Sequence, residues 1–388
     1  EKRGIVAKKY RYYEQKQKLK DFGISTPPKL RYEQSAVGWC TKSVDMLSDR
    51  LVFEGFANDT AGLVEIFRDN NQATLTDSAM LGAMISGCSF IYIYRDEDEN
   101  VKMQVLDGSR ATGIIDESTG LLTEGYAVLE VDKNKRPLVT AYFNREYTLL
   151  YKGDEVEEIE NKSGQCQLVP ILFRPDAVQP FGRSRISSSS IDYVNSAMRT
   201  LKRAEISAEF YSYPQKYATG LSEDAEVIDS WKATMSTMMT FTKDEDGDKP
   251  TVGQFAQQSM SPHLEQLRSQ ASMFAGEVGL TAQDLGFESG NPASSDAIKS
   301  AHESLRATGR KAQKKFAEGF LNAGYVAKCV QDQNAYTKNI LGEVKCVWKP
   351  LFEPDSSALS GIGDFLIKLN TINPDYIDEE MIKELIGF

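Results

Sequence analysis

The feature that most constrains the fold is a long helical pattern late in the chain, entered through a polar, glycine-rich loop. The pattern covers residues 296–332, and the loop covers residues 281–295. Apolar or small residues recur at helical spacing, at Ile298, Ala301, Leu305, Ala312, Phe316, Phe320, Ala323 and Ala327. This spacing predicts a helix roughly 50 Å long with one buried stripe. Gly309 is a candidate kink near its middle, and periodicity alone favours a core helix with its entry loop.

The charge balance limits how the chain can meet nucleic acid. Its 388 residues exceed what one hydrophobic core usually serves, so we expect two or more modules. The formal net charge is -11, whereas a protein that grips DNA normally presents a basic face. An acidic chain is still compatible with DNA that passes nearby without being bound tightly. The stretch 6–22 is basic, rich in tyrosine and helix-prone, which suits either nucleic acid or a surface helix at a subunit contact.

Cysteine and histidine usage argues against metal, disulfide and cofactor chemistry. The five cysteines are odd in number, scattered and without a C-x-x-C pair, which favours a reducing compartment. The two histidines offer little material for histidine-based catalysis. No apolar run is long enough to span a bilayer, and no signal-peptide pattern opens the chain, so we expect no membrane partner. We also expect no cofactor and no metal.

The hydrophobic period divides the first half of the chain into helical and extended parts. Helical patterns fill the region up to residue 85, and a period of two begins at Cys88. The extended part predicts a small antiparallel meander packed on the preceding helices, with Pro170 marking an edge strand. Two hairpin turns are expected, at Lys152-Gly153-Asp154 and at Ser163-Gly164.

Helical patterns return in the second half. Helices are predicted over 186–211 and 262–278, with a turn-rich insertion between them. A strand over 343–348 and helices over 357–369 and 378–386 follow the long helical pattern. The fold class is therefore α+β, mainly helical.

Residue clusters that resemble catalytic or metal sites are incomplete. Ser187-Ser188-Ser189-Ser190 lacks the G-x-S-x-G pattern and lies at a predicted helix start, where serine is a normal cap. The clusters 96–99 and 244–248 group carboxylates, and the second alternates like a calcium loop but lacks the downstream glutamate. Solvated turns explain both better, so no catalytic residue is assigned and we do not expect an enzyme.

Four groups of segments carry a resemblance to a known family. They are Tyr13–Ile24, Arg50–Phe56, Val169–Pro175 with Phe181–Ser184, and Gly279–Phe287 followed by Asn291–Ile298. Their order, with the order of helices and strands, resembles the portal proteins of tailed bacteriophages, in the branch with long non-contractile tails. In that family, subunits form a ring, usually of twelve, at one capsid vertex, and DNA moves through its axial channel.

The resemblance implies a portal-type fold. Its parts are a wing of helices plus an antiparallel β-module, a two-helix stem, a small α/β clip, a long kinked helix and a helical crown. The implied bounds are 1–182 for the wing, 183–212 for stem helix 1, 213–260 for the clip, 261–280 for stem helix 2, 281–295 for the tunnel loop, 296–332 for the long wing helix, and 333–388 for the outer wing strand and crown.

The resemblance also implies site residues. The tunnel loop would face DNA through Gln283, Asp284, Leu285, Gly286, Phe287, Glu288, Ser289 and Asn291. Cations that suit either DNA or subunit contacts are Arg199, Lys202, Arg203, Lys299, Arg306, Arg310 and Lys314. Contact with DNA should be weak and sequence-independent, because strong phosphate neutralisation would act as friction on sliding DNA.

The implied role is a ring at the unique capsid vertex. It is a conduit for double-stranded DNA during packaging and ejection and a docking platform for the packaging motor and head-tail connector. The implied partners are further copies of the chain (a dodecamer), double-stranded DNA, the terminase motor, a head-completion adaptor, and the major capsid and scaffolding proteins. The chain would reside in the virion after assembly in the host cytoplasm. The alternatives are a metal-dependent DNA-processing enzyme that uses Asp96 and Asp98, or another phage connector or tail ring protein.

Overall fold

The structure is a computed structural model that describes residues 2–19, 35–134, 136–212, 216–219, 251–254, 259–287, 300–352, 363–368 and 371. Its main α-helices are α1 Lys2–Tyr13, α2 Trp39–Ser48, α3 Leu63–Asp69, α4 Gln72–Ser86, α5 Ser188–Ser212, α6 Ser261–Val278 and α7 Glu303–Asp332. Short 3-10 helices cover Gln283–Leu285 and Lys338–Leu341.

The strands form antiparallel sheets. They are β1 Phe53–Ala57, β2 Cys88–Arg95, β3 Val101–Asp107, β4 Ala111–Ile115, β5 Leu122–Val131, β6 Pro137–Phe143, β7 Tyr147–Lys152, β8 Glu155–Glu160, β9 Leu168–Leu172, β10 Lys216–Thr219, β11 Thr251–Gln254 and β12 Lys345–Trp348. A five-stranded sheet has the order β4-β5-β6-β7-β8, and a three-stranded sheet has the order β3-β2-β9. Two further pairs are β1-β12 and β10-β11. The α+β class predicted from the sequence is confirmed.

The three-stranded sheet is the middle of a layered core. Ile91 and Ile171 belong to a cluster that contains residues of α4 and α7, so this face of the sheet packs on helices. Phe90 and Leu168 belong to a second cluster with residues of the five-stranded sheet, so the other face packs on strands. Because β2 is covered on both faces, its sequence is apolar or aromatic at nearly every position.

The long helix α7 supplies much of the helical layer. Phe316 and Phe320 are fully buried on its inner side, as the periodicity predicts. The helix runs without a break through Gly309, and the interruption in the helical run lies at His302 instead. A Cβ at Gly309 would come 2.8 Å from the side chain of Leu351, so the glycine gives room for that contact. The kink predicted at Gly309 is therefore absent, and the glycine instead makes room for Leu351.

The predicted antiparallel module differs from the structure in three respects. It is two sheets rather than one meander, because β9 returns to pair with β2 instead of following β8. Ser163-Gly164 is therefore not a hairpin turn, since the strands on either side belong to different sheets. Strand β1 was not predicted. The hairpin turn predicted at Lys152-Gly153-Asp154 is present and joins β7 to β8, although the bounds of β8 were not predicted. Pro170 does lie in an edge strand, opposite Phe90, as predicted.

Several sequence predictions fall partly or wholly outside the described residues. The N-terminal helix predicted over 6–22 runs over Lys2–Tyr13 in the described part. The insertion between α5 and α6 is described only at its base, where β10 and β11 pair in antiparallel fashion. The carboxylate cluster 244–248 and the terminal helix predicted over 378–386 lie outside the described residues.

Candidate functional site

The helices α5 and α6 lie side by side in antiparallel directions and match the two helices predicted for the stem. Gln270 on α6 is 4% exposed and donates from Nε2 to Ser196 Oγ (2.8 Å) and Thr200 Oγ1 (3.2 Å) on α5. At the other end of the contact, Ser187 Oγ donates to Glu277 Oε1 at 2.8 Å. These bonds fix how far one helix can slide along the other, because buried polar groups are costly to leave unpaired.

The start of α5 is capped by serine, as predicted. Ser187 precedes the helix, and its Oγ accepts the backbone N–H of Ser190 at 3.1 Å. This is the bond that an N-cap residue makes. The serine run is thus used to begin the helix and to hold Glu277 of α6.

Arg185 joins the beginning of α5 to two other helices. Its side chain is 5% exposed, and it donates from Nε to the carbonyl of Ser43 in α2 and from Nη2 to the carbonyl of Val278, the last residue of α6, at 2.9 Å. Burial lowers the pKa of Arg185 to about 10, which still leaves the side chain charged at neutral pH. A cation suits the negative end of the α6 dipole. The sequence reasoning did not identify Arg185, although it directly follows the quoted segment Phe181–Ser184.

Gly182, in that same segment, explains why the chain can enter α5 along this path. Its φ angle is +79°, and a Cβ there would lie 2.3 Å from the carbonyl oxygen of Phe173 and 2.5 Å from that of Gly87. Only glycine tolerates both the backbone angle and the close approach. The entry path therefore requires Gly182.

The predicted tunnel loop begins with an ordered turn. Gly279 ends α6 with a φ angle of +69°, a left-handed conformation that glycine adopts readily. Asp284 Oδ2 then accepts the backbone N–H and the hydroxyl of Thr281, at 2.8 and 2.9 Å. These bonds fold Gln283–Leu285 into a turn of 3-10 helix. The first part of the loop therefore has a defined shape.

A polar contact links this turn to the long helix. Nε2 of His302 lies 3.1 Å from Oδ2 of Asp284 and 3.2 Å from Oδ1. Burial raises the pKa of the Asp284 carboxyl, but the hydrogen bonds from Thr281 and His302 outweigh burial and hold this pKa below its ordinary value. Asp284 is therefore ionised at neutral pH, and His302 must donate the shared proton. This contact joins the turn that follows α6 to the residues just before α7.

Besides Asp284, two loop residues of the predicted DNA-facing set pack on the chain itself. Phe287 meets Trp39 with ring centroids 6.3 Å apart, and Trp39 in turn meets Phe274 of α6 at 5.5 Å. Leu285 packs against the same cluster. Gln283 and Gly286 are exposed. Glu288, Ser289 and Asn291 lie outside the described residues.

The predicted cations fall into two groups. On α5, Arg199 and Lys202 are half-buried and Arg203 is exposed. On α7, Arg306 pairs with Glu303 at 3.7 Å and stacks over Phe352 at 5.1 Å.

The remaining α7 cations, Arg310 and Lys314, are exposed. Lys299 lies outside the described residues. Within the described part, Arg306 is thus engaged with its own chain, whereas Arg310 and Lys314 point to solvent.

The described residues contain no cluster of three or more histidine, cysteine or acidic side chains placed to hold a metal ion. Asp96, the carboxylate considered for metal chemistry, holds the β2–β3 turn by accepting the backbone N–H of Asn100 at 2.8 Å. None of the helices within the described ranges is long and apolar enough to cross a membrane.

Comparisons with known proteins point to one family. A family model described as "Phage portal protein, SPP1 Gp6-like" matches residues 2–351. The portal protein of Mycobacterium phage L5 is 23% identical over 318 residues, which cover 76% of this chain and 65% of that protein. The portal protein of Mycobacterium phage D29 is 24% identical over the same length and coverage. The chain thus spans about two thirds of the length of these relatives, 65% in both cases.

The solved structures that match most of the chain include subunits of gene transfer agent (GTA) particles. One, described as the virion of the native particle, has a TM-score of 0.49 at 12% identity and covers 90% of this chain and 89% of its own. Another, the neck of the empty particle computed with C6 symmetry, has a TM-score of 0.48 at 13% identity and covers 95% of both chains.

Proposed function

The chain belongs to the SPP1 Gp6-like family of phage portal proteins, and from this premise we propose that it forms a ring at the unique vertex of a phage capsid. Double-stranded DNA would pass through the ring during packaging and ejection. The observation that carries this proposal is the family match over residues 2–351, which includes both stem helices, the loop and the long helix.

The fold elements divide naturally among the parts of such a subunit. The wing comprises α1 to α4 with β1 to β9, within residues 1–182, and the stem comprises α5 and α6. The clip is the insertion 213–260, whose base is the β10–β11 pair. Residues 281–295 form the tunnel loop, 296–332 the long wing helix, and 333–388 the outer wing strand and crown.

One structural relationship adds to the proposed outer wing. Strand β12, assigned to it, pairs with β1 of the N-terminal part, with Phe53 opposite Trp348. This pair of strands therefore joins the proposed outer wing strand to the N-terminal part of the proposed wing.

The charge distribution suits DNA that slides rather than binds. Each lysine or arginine that neutralises a phosphate adds salt-dependent affinity, so a conduit works best with few of them at its narrowest point. Residues 281–295 contain no lysine or arginine. We assign the narrowest point to this loop, with Gln283 and Gly286 as its exposed described residues and Glu288, Ser289 and Asn291 as further DNA-facing residues.

The packed residues of the loop take a different role in this proposal. Asp284, Leu285 and Phe287 anchor the loop on the wing and stem, because each contacts residues outside the loop. A loop whose first part is held in this way keeps that part in position while DNA moves past it.

The partners follow from the same role. The clip would meet the terminase motor and later the head-completion adaptor, and the wing would meet the major capsid and scaffolding proteins. The assembled ring would reside in the virion.

The test is direct imaging of the purified full-length chain. Negative-stain electron microscopy and light scattering should show large closed rings with an axial opening, with or without scaffolding protein. A protein that stays strictly monomeric under all these conditions would contradict the proposal.

A further inference from the structure

The five-stranded sheet presents a solvent face with an unusual composition, called here the outer face. Because paired residues in antiparallel strands lie on the same face, the pairing places Tyr126, Tyr142, Leu149 and Glu158 in one row across β5, β6, β7 and β8. Alternation adds Tyr147 and Tyr151 of β7 to the same face. The opposite face carries Ala127, Ala141 and Phe143, which are fully buried.

The outer face exposes more apolar surface than a solvated sheet face requires. Ile114 and Val156 are each 59% exposed, Leu138 is 52% exposed and Tyr126 is 42% exposed. Tyr142 and Tyr147 lie with ring centroids 6.3 Å apart between them. Exposed apolar side chains gathered on one face mark interaction sites, and tyrosine is enriched in protein interfaces.

The charges on the outer face all have one sign. Glu124, Glu158 and Glu160 share it, since they pair with Ile114, Leu149 and Tyr147. None of the described residues on this face is a lysine or arginine. Tyrosine rings beside carboxylates suit a cationic partner, because the rings attract cations over their faces and the carboxylates pair with them.

The chain itself carries a matching surface on α7. Arg310, Lys311 and Lys314 are exposed within little more than one helical turn. No carboxylate in the described part of the chain lies within 4 Å of any of the three. Their neighbours on the same helix differ, since Lys315 is paired with Glu318 at 2.6 Å.

We propose that the outer face is a subunit interface that receives the Arg310, Lys311 and Lys314 surface of an adjacent copy. The two surfaces are different parts of one chain, so the contact is head-to-tail, the type that closes into a ring. This inference rests on the proposed ring and names a contact that holds it together. It also assigns Arg310 and Lys314 to a subunit contact rather than to DNA.

Charge reversal tests the contact. In the full-length chain, Glu158→Lys with Glu160→Lys should raise the protein concentration needed for ring formation about tenfold or more, because attraction becomes repulsion. Arg310→Glu with Lys314→Glu should do the same. Combining all four changes in one chain should restore assembly, since the charges are exchanged. The matched control, Glu97→Lys with Asp98→Lys, reverses two exposed charges in the β2–β3 turn and should leave assembly unchanged.

The outcomes separate this inference from the proposed function. If the wild-type chain forms no rings, the proposed function fails. If wild-type rings form but the reversals on the outer face behave like the control, or the fourfold variant is no better than either double variant, the interface is wrong while the ring stands. Circular dichroism of each variant confirms that it is folded.

A second measurement does not depend on charge. Tyr126 is replaced by the photoreactive residue p-benzoylphenylalanine, and assembled rings are irradiated and digested. Cross-links should join the peptide of residue 126 to peptides within residues 303–318 of another copy. Cross-links to other regions only would overturn the proposal.

Discussion

His302, just before α7, faces Asp284 in the turn after α6, with Nε2 of His302 3.1 Å from Oδ2 of Asp284. Both side chains are mostly covered, at 15% and 14% exposure. The pair lies where α6 has ended and α7 is about to begin, so it helps to hold these two helices in a fixed relation. The ring of Phe352 packs beside that of His302, with the ring centroids 6.0 Å apart, and extends this junction.

Asp284→Asn should loosen the loop. The amide cannot accept three hydrogen bonds as a carboxylate does, so we expect a loss of about 1 kcal/mol in stability. Hydrogen exchange of the amides in residues 279–287 should accelerate while that of the sheet amides stays unchanged. The conservative control is Asp59→Asn, whose carboxylate accepts N–H groups of Ala61 and Val64 in another loop. Equal acceleration in both variants would contradict a specific role for Asp284.

The same pair predicts a pH dependence. The pKa of Asp284 is lowered on folding, so the carboxylate stabilises the fold above its unfolded pKa of about 3.9, and this contribution disappears as the pH falls through the folded pKa. The difference in unfolding free energy between the wild type and Asp284→Asn should therefore hold at neutral pH and shrink below about pH 4. Denaturant titrations at a series of pH values measure it. A difference that disappeared between pH 5 and 7 would belong to another titrating group.

Arg185→Met should destabilise the junction of wing and stem. The change keeps much of the side-chain volume but leaves the carbonyls of Ser43 and Val278 without their donor, at a cost of roughly 2–3 kcal/mol. Arg183→Met is the matched control two residues earlier. Its ion pair with Asp176 is about half exposed and screened by solvent, so its loss should change the stability far less than the loss of Arg185. Chemical denaturation compares the two, and similar losses would show that burial of Arg185 is not decisive.

Glycines in two helices should respond to alanine in opposite ways. A Cβ at Gly324 of α7 would lie 2.7 Å from the side chain of Leu63, which is fully buried, so Gly324→Ala should cost about 1–3 kcal/mol. Nothing lies within 4 Å of a Cβ at Gly276 of α6, so Gly276→Ala should stabilise the chain by about 0.5–1 kcal/mol. The thermal unfolding temperatures of both variants show whether side-chain packing or helix propensity determines the effect of each alanine. If Leu63→Ala fails to relieve Gly324→Ala, the contact is not the cause.

The contrast between α7 and β1 shows which features sequence could predict. The stripe containing Phe316 and Phe320 is visible because helix periodicity is local, and both residues are buried as expected. Strand β1 is short, has a register shift near Gly55 and pairs with β12, almost 300 residues later. Its partner cannot be read from a local pattern. Strand β8 contains four glutamates, and its two apolar residues, Val156 and Ile159, fall on opposite faces. It is exposed throughout, so no buried face marks it.

The site shows the same limit. The helices α5 and α6 were predictable because each is a local pattern with clear ends. Arg185 and His302 were missed as structural residues, since their partners Ser43, Val278 and Asp284 are distant in sequence. An arginine that follows a glycine-containing segment can be recognised as a buried structural residue only when the fold is known.

Gln283→Lys tests whether the loop faces DNA. Gln283 is exposed and the loop lacks cations, so the change adds one positive charge per subunit at the proposed narrowest point. Rings should assemble normally, because the side chain is exposed. DNA packaging in vitro should slow. The slowing should diminish with added salt, because the logarithm of the DNA-binding constant falls by about 0.9 per cation–phosphate contact for each tenfold rise in salt concentration. Gln283→Met, which has a similar length and no charge, should package at the wild-type rate. A lysine variant that packages normally at low salt would show that Gln283 does not meet the DNA.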